Sequence, residues 1–244
     1  MSSKQQRAFG HIVILTGAGV SAESGVATFR DAGGLWENHD PMAIATPEAF
    51  ARDPELVYRF YNARLAMLDD VQPNAAHRAL ATLQRDYPGE VFLVTQNVDD
   101  LHERGGAAQV CHMHGQLRQI LCNRCRARAP ATGHYDATTT CCGCGHTGSL
   151  RPDVVWFGEM PYAMDVVEAQ LARCDLFVAI GTSGVVYPAA GFVQIAGGHG
   201  ARTLEINPEI SEVGAMFDEH RAGVATVEVV AWVESMLAGA GPAG

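Results

Sequence analysis

Two pairs of cysteines have the spacing that most directly predicts a chemical role. Cys122 and Cys125 form one C-x-x-C pair, and Cys141 and Cys144 form a second pair after fifteen intervening residues. Each pair supplies two thiolates from a tight turn, and four sulfurs complete a tetrahedral coordination sphere around Zn²⁺. Because four protein ligands leave no position for water, we expect one structural Zn²⁺. Cys142 is an alternative to Cys141 as a ligand, and a redox or incidental role is the alternative to metal binding.

A glycine-rich turn near the N-terminus predicts a nucleotide site. The segment HIVILTGAGVSAESG predicts a strand, a turn and a helix, and Gly17-x-Gly19-x-x-Ala22 within it matches the dinucleotide-binding pattern. Glycines there allow the backbone to approach a pyrophosphate, whose charge would lie at the helix N-terminus. A plain glycine-rich turn is the alternative. No second strand ends in an acidic residue about twenty positions later, so we expect ribose contacts from the ends of other strands. The candidates are Gly181, Thr182, Ser183, Asn207, Pro208 and Glu209.

Polar residues also follow a buried strand in the middle of the chain, within TQNVDDLHERGG at 95–106. They are Gln96, Asn97, Asp99 and His102. Shortly afterwards His112 and His114 alternate about Met113, so that both imidazoles face the same way if this segment is extended. A lone histidine is usually structural, but two beside a cluster of carboxamides indicate a cleft.

Short apolar runs rich in β-branched residues alternate with longer helical patterns. The runs cover 11–15, 91–94, 176–180 and 203–206, and the helical patterns include 74–86 and 187–197. Because the runs are too uniformly apolar for a sheet with one solvated face, they predict an α/β fold with a parallel sheet and helices on both faces. Residues 33–70, which lack a predicted strand, and residues 115–150, rich in Cys, Arg, Gly and Thr, predict a smaller lobe. A Gly/Ala-rich tail covers 238–244.

The composition argues against some classes of function. With 17 Lys and Arg against 27 Asp and Glu, the formal charge is −10, whereas proteins that bind nucleic acid usually carry a basic face. No segment has the pattern of a signal peptide or of a membrane span. We therefore expect a soluble, cytoplasmic, monomeric protein that binds neither nucleic acid nor membranes. In that compartment disulfides are rare, and Cys111 and Cys174 are predicted to be buried thiols.

The segment FYNAR, residues 60–64, raises a question about a buried charge. A helix predicted over 54–68 places Val57, Tyr61, Arg64 and Leu68 on one face. Three of these side chains suit an apolar stripe and the guanidinium of Arg64 does not. Either Arg64 has a ligand, or it extends to solvent or pairs with Asp69 or Glu55.

Taken together, these motifs resemble the sirtuin family of NAD-dependent protein deacylases. The matching segments are GAGVSAESG (17–25), TFR (28–30), GGLW (33–36), TQNVDDLHERGG (95–106), HMHG (112–115), LRPDVVWFGEMP (150–161), GTS (181–183), VVYPAA (185–190) and INPE (206–209), together with both C-x-x-C pairs. The resemblance implies a single domain over 1–244. Its Rossmann-like core would comprise about 8–32, 71–114 and 151–240, with a helical insert at about 33–70 and a zinc module at about 115–150.

The resemblance also implies a reaction and the residues that perform it. NAD would bind with its nicotinamide ribose beside His114, while Asn97 and Asp99 hold the ribose and the nicotinamide end. After nicotinamide leaves, the amide oxygen of an acyl-lysine attacks C1′, and His114 acts as general base on a ribose hydroxyl. The products are free lysine, nicotinamide and an O-acyl-ADP-ribose. The implied NAD-binding residues are Gly17, Ala18, Gly19, Ser21, Ala22, Thr28, Phe29, Arg30, Trp36, Gln96, Asn97, Val98, Asp99, Gly181, Thr182, Ser183, Asn207, Pro208, Glu209 and Ala225.

For the protein substrate, the resemblance implies a strand-like contact and an acyl pocket. Val155, Trp156, Phe157 and Gly158 would pair with the substrate backbone. Tyr61 and Arg64 resemble the pair found in the class III sirtuins, which prefer succinyl and malonyl groups, and Ala45 would leave room for the longer chain. The alternatives are a general lysine deacetylase, a mono-ADP-ribosyltransferase that uses the same cleft, and an NAD-sensing module without turnover.

Overall fold

The computed structural model describes residues 9–27 and 40–240. Its larger sheet has six strands, all paired in parallel, and its smaller sheet has three antiparallel strands. The strands, numbered along the chain, are β1 (His11–Thr16), β2 (Glu90–Thr95), β3 (Cys111–His112), β4 (Gly115–Cys122), β5 (Arg128–Pro130), β6 (Leu150–Val154), β7 (Leu176–Ile180), β8 (Arg202–Asn207) and β9 (Glu219–Ala222). The larger sheet has the order β3-β2-β1-β7-β8-β9, and the smaller has the order β5-β4-β6.

Helices cover both faces of the larger sheet, as predicted. The helices are α1 (Pro41–Ile44), α2 (Pro47–Arg52), α3 (Pro54–Asp70), α4 (Ala75–Asp86), α5 (Leu101–Arg104), α6 (Met164–Leu171), α7 (Phe192–Gly198) and α8 (Ala225–Ala240). Ile12 and Ile14 of β1 pack with α4 and α8, whereas Val13 and Leu15 point the other way and pack with α6 and α7. This alternation explains why the strand is apolar at consecutive positions, since both of its faces are buried.

The smaller lobe combines the three-stranded sheet with α1, α2 and α3. Helix α3 begins where the Asp53 side chain accepts a hydrogen bond from the Leu56 N–H at 3.0 Å, with Pro54 in the first turn. Its predicted buried face is confirmed, because Val57, Tyr61, Arg64 and Leu68 are all buried. The guanidinium therefore does lie on the apolar side of the helix.

Two local predictions were wrong. Instead of an α-helix after the glycine turn, the chain forms two single 3₁₀ turns, Ala18–Val20 and Ala22–Ser24. Gly25 ends the second turn in the left-handed region, with φ 90°, where glycine is strongly favoured. The helix predicted over 187–197 starts as a 3₁₀ turn after Pro188 and becomes α7 only at Phe192. The first three residues of the Gly/Ala-rich segment, 238–240, belong to α8.

Within 9–27 and 40–240, no helix has the length and hydropathy needed to span a bilayer.

Candidate active site and metal centre

A cavity of about 580 Å³ opens at the carboxyl ends of β1, β2, β7 and β8, against α3 and the segment after β6. This is where an open parallel α/β sheet binds its ligands. The predicted NAD-binding residues that line it are Gly17, Ala18, Gly19, Ala22, Gln96, Asn97, Val98, Asp99, Gly181, Thr182, Ser183, Asn207, Pro208, Glu209 and Ala225. The other predicted residues on its wall are His114, Ala45, Tyr61, Arg64, Val155, Trp156, Phe157 and Gly158. Ser21 is fully buried behind the wall. Thr28, Phe29, Arg30 and Trp36 lie outside the described residues.

Two loops meet backbone to backbone on one side of the cavity. The Gly17 N–H donates to the Ile180 carbonyl at 3.0 Å, and the Gly19 N–H donates to the Gly181 carbonyl at 2.9 Å. A Cβ on Gly19 would lie 2.7 Å from the Gly181 Cα. Glycine is thus required at 19 and at 181 for the two loops to touch. The wall that they form presents backbone atoms, not side chains, to a ligand. Such a wall suits the close approach of a dinucleotide phosphate.

Gly181→Ala is expected to weaken NAD binding by tenfold or more and to lower the melting temperature. Gly181 has φ +62°, and an added Cβ would lie 2.5 Å from the Val20 N, so the two loops must separate. Calorimetric titration with NAD and thermal unfolding would measure both effects. Gly198→Ala is the matched control, because a Cβ there meets no atom within 4 Å. Equal NAD affinity in the two variants would contradict the prediction.

Ser21 lies at the centre of a hydrogen-bond network beneath the cavity. The Asn97 Nδ2 donates to the Ser21 Oγ at 3.1 Å, and the Ser21 Oγ donates to the Asp99 Oδ2 at 3.0 Å. The His77 Nε2 lies 3.3 Å from the same Oγ, while the His77 Nδ1 accepts the Asn74 N–H at 3.2 Å. Because Nδ1 accepts, a neutral ring carries its proton on Nε2 and donates to Ser21. Burial lowers the pKa of His77 to about 4, so the ring is neutral near pH 7.

This network fixes Asn97 and Asp99, two of the polar residues that line the cavity after β2. Asn97 and Asp99 are both buried, and burial raises the pKa of the Asp99 carboxyl. His77, which was not predicted as a site residue, forms a capping box with Asn74 at the start of α4. The sequence pattern that could have predicted this role is Asn74 followed three residues later by His77, whose side chain can hydrogen-bond back to the N-cap backbone.

His114 is the histidine that lines the cavity. Its Nδ1 lies 3.2 Å from the carbonyl oxygen of Gln96, which can only accept, so the neutral ring carries its proton on Nδ1. The Nε2 lone pair is then available to take a proton. Burial lowers the pKa of His114, with a smaller opposing effect from the Gln96 hydrogen bond. Fully buried Met113 anchors the segment, and the Val155 N–H donates to the His114 carbonyl at 2.9 Å.

The other two histidines singled out in the sequence do not line the cavity. The Nε2 of His112 lies 2.6 Å from the Glu103 Oε1, and its Nδ1 lies 3.3 Å from the Asn97 carbonyl oxygen. His102 is buried with its Nε2 at 2.9 Å from the Thr16 Oγ1. Both rings make contacts that hold the loop after β2 in place, which is the structural role expected of most histidines.

At the opposite end, the cavity reaches the buried face of α3. Tyr61 and Arg64 are 4% and 6% exposed, which contradicts the alternative that Arg64 extends to solvent. The guanidinium carbon of Arg64 lies 4.3 Å from the centre of the Phe60 ring. Ala45 is buried and lines the same cavity, and its carbonyl accepts the Phe157 N–H at 2.9 Å. This end therefore combines a small residue, a phenol and a cation.

The four predicted metal ligands come together in the smaller lobe. The sulfurs of Cys122, Cys125, Cys141 and Cys144 all lie within 4.8 Å of one another. Two of the separations are 3.8 Å and 3.7 Å. Zn–S bonds of about 2.3 Å in a tetrahedron place sulfurs about 3.8 Å apart, so the residues fit Zn²⁺.

Burial and position distinguish Cys141 from Cys142 as the metal ligand. Cys141 is buried within the cluster, whereas Cys142 is exposed and lies outside it. The predicted core thiols differ from each other: Cys174 is buried as expected, but Cys111 is only half-buried.

Comparisons with known proteins agree with this geometry. A profile of the Sir2 family matches residues 17–188. The chain is 54% identical over 230 residues to an NAD-dependent protein deacylase of Caulobacter vibrioides, an alignment that covers 93% of this chain and 97% of the relative. It is 51% identical over 231 residues to an NAD-dependent protein deacylase of Shewanella oneidensis, covering 94% and 95% of the two chains.

The fold is also similar to that of a solved complex of a Sir2 homologue with NAD. The two share 41% identity with a TM-score of 0.85, and the match covers 94% of this chain and 91% of the other. The chain belongs to the Sir2 family, as its resemblance to sirtuins predicted.

Proposed function

We propose that this protein uses NAD to remove acyl groups from protein lysines, giving nicotinamide and an O-acyl-ADP-ribose, and that it prefers succinyl and malonyl groups to acetyl. The observation that carries the proposal is one cavity bordered by the glycine loops, by His114, and by Tyr61 with Arg64. The glycine loops and His114 are what NAD binding and proton transfer require. Tyr61 and Arg64 would select among acyl groups.

The residues around His114 are suited to proton transfer. A neutral imidazole with its proton fixed on Nδ1 offers Nε2 as the base for a ribose hydroxyl of NAD. Asn97 and Asp99, held by Ser21 and His77, would position the ribose and nicotinamide end. The lining near the acyl end is largely apolar, which excludes water from the reacting centre.

The acyl preference follows from the chemistry of the cavity end on α3. A succinyl or malonyl group carries a distal carboxylate, which an Arg fork can bind through two N–H groups. Tyr61 supplies a hydroxyl on the same helical face, because residues i and i+3 are neighbours. Hydrogen bonds to a charged group contribute about 1.5–3 kcal/mol each, equivalent to roughly tenfold or more in preference. An acetyl group offers no such carboxylate.

Arg64→Met is expected to lower the ratio of kcat/KM for succinyl-lysine over acetyl-lysine peptides by at least about tenfold. Methionine preserves much of the side-chain volume and removes the charge. Matched peptides assayed at saturating NAD would give the ratio. Arg59→Met is the control, since Arg59 is exposed on the same helix and should leave the ratio unchanged. An unchanged ratio in Arg64→Met would exclude the acyl-selection role.

The product mixture separates this proposal from its alternatives. Mass spectrometry of an acyl-peptide panel, with and without NAD, would show free lysine and O-acyl-ADP-ribose for a deacylase. A mono-ADP-ribosyltransferase would instead leave ADP-ribose on protein, and a general deacetylase would process acetyl peptides as fast as succinyl peptides. Release of nicotinamide distinguishes all three from a protein that only senses NAD. The monomeric state, the cytoplasmic location and the lack of nucleic-acid binding remain predictions from the sequence.

A further inference from the structure

Trp156, on the wall of the acyl end, is held by an ion pair between buried Arg151 and half-buried Glu159. The guanidinium carbon of Arg151 lies 3.4 Å from the centre of the indole ring. The Nη1 and Nη2 of Arg151 donate to the two carboxylate oxygens of Glu159 at 2.6 and 2.8 Å. The same carboxylate accepts the backbone N–H of Trp156 at 2.9 Å. We call Arg151 and Glu159 the indole clamp, because together they fix the ring and the backbone of one residue.

The clamped indole makes a polar contact with the helix opposite. Its Nε1–H donates to the Tyr61 hydroxyl oxygen at 2.9 Å. An indole N–H can only donate, so Tyr61 must be the acceptor in this contact, and the single phenolic proton must point elsewhere. Tyr61 and Trp156 both line the cavity. Burial raises the pKa of Tyr61 to about 12, so the hydroxyl keeps this proton at neutral pH.

The clamp is costly to build, which argues that it does more than fill space. Arg151 is 4% exposed whereas the Glu159 side chain is 31% exposed, so the guanidinium loses hydration that its attraction to the carboxylate only partly restores. Apolar side chains of similar volume would pack against an indole without this cost. What the ion pair adds is a fixed direction for the Trp156 N–H, because bidentate pairing with Glu159 leaves the guanidinium plane no freedom to rotate.

We propose that Arg151, Glu159 and Trp156 are positioning residues for acyl selection: they occupy the acceptor side of the Tyr61 hydroxyl and so direct its proton to the distal carboxylate of the acyl group. The inference rests on the proposed function and deepens it. Without the indole donor, the Tyr61 hydroxyl rotates and its proton is no longer held in that direction. The donor to the acyl carboxylate is then present but not oriented.

A double-mutant cycle on the ratio of kcat/KM for succinyl-lysine over acetyl-lysine peptides tests the positioning. Trp156→Phe should lower this ratio about three- to tenfold in the wild-type background. In the Tyr61→Phe background, which has no hydroxyl to orient, the same change should leave the ratio within about twofold. An equal fall in both backgrounds, or no fall in either, would overturn the proposal. Glu159→Gln is a milder variant that weakens the clamp at constant volume, and it should lower the ratio in the same background-dependent way.

Nuclear magnetic resonance provides a measurement that is independent of turnover. The indole N–H signal of Trp156, identified by its loss in Trp156→Phe, should move upfield in Tyr61→Phe because the hydrogen bond is lost while the aromatic ring remains. A signal at the same position in both proteins would overturn the proposal whatever the kinetics show.

The failures of the two proposals can be told apart. If Arg64→Met leaves the acyl ratio unchanged, Arg64 does not select the acyl group, and the resonance still decides whether the Trp156 N–H bonds to the Tyr61 hydroxyl. If Arg64→Met lowers the ratio but Trp156→Phe acts equally in both backgrounds, the preference stands and the positioning is wrong.

Discussion

His114→Phe is expected to lower kcat/KM for acyl-lysine peptides by about 10²–10⁴-fold, the usual contribution of a general base. Phenylalanine fills the site but has no Nε2 lone pair to accept the ribose proton. The KM for NAD should change much less. The glycine loops that border the cofactor region follow β1 and β7, and β2 separates both strands from β3, which directly precedes the His114 segment. Peptide turnover followed by mass spectrometry measures kcat/KM when the peptide is varied at saturating NAD, and the KM for NAD when NAD is varied at saturating peptide.

His199→Gln is the control for this substitution, since His199 is exposed at the end of α7. A variant of His114 that retained more than about a tenth of wild-type kcat/KM would contradict the assignment, because general-base contributions are larger than that.

The pH dependence of the wild-type enzyme should report the same residue. The base must be neutral to accept a proton, and burial lowers the pKa of His114 from its ordinary value of 6.5. The acidic limb of the kcat/KM profile is therefore expected below pH 6.5, with activity rising as pH increases through that pKa. This limb should disappear from the residual activity of His114→Phe.

Loss of zinc is expected to destabilise the protein strongly. Cys125→Ser or removal of the metal by a chelator should unfold the smaller lobe, because structural zinc supplies about 10–16 kcal/mol to the folding of isolated zinc peptides. The melting temperature and the zinc content, expected to be one ion per chain, would fall together. Cys142→Ser is the matched control, since this exposed thiol lies outside the cluster and should leave both values unchanged.

Zinc loss should also abolish catalysis, although no cysteine of the cluster lines the cavity. Strand β4 pairs with β6, so Gly115 lies beside Val154 at the edge of the active site. Gly115 directly follows His114, and the Val155 N–H donates to the His114 carbonyl. If the smaller sheet unfolds, the pairing of β4 with β6 no longer holds His114 next to residues 155–158. A chelated protein that kept full activity with no bound zinc would contradict this dependence.

Local patterns were sufficient to predict several elements because each is governed by short-range physics. The buried face of α3 follows from helical spacing, and four apolar runs correspond to strands of the sheet. The pairing of two C-x-x-C turns predicted a four-sulfur cluster. The glycine turn was predicted correctly as a turn, but its continuation as a helix was wrong, because the pattern does not reveal that Gly25 closes a single 3₁₀ turn.

Sequence patterns were enough to establish the fold class, the family and the types of side chain available for chemistry. Which of these side chains share a space depends on how the chain folds: His114 and Arg64 line one cavity, whereas His112 and His102 do not. The fold also decides the contact between Trp156 and Tyr61, which are separated by 95 positions in the chain. The physical reason is that periodicity specifies which face of an element is buried, whereas the partner of a buried polar group depends on how distant elements pack.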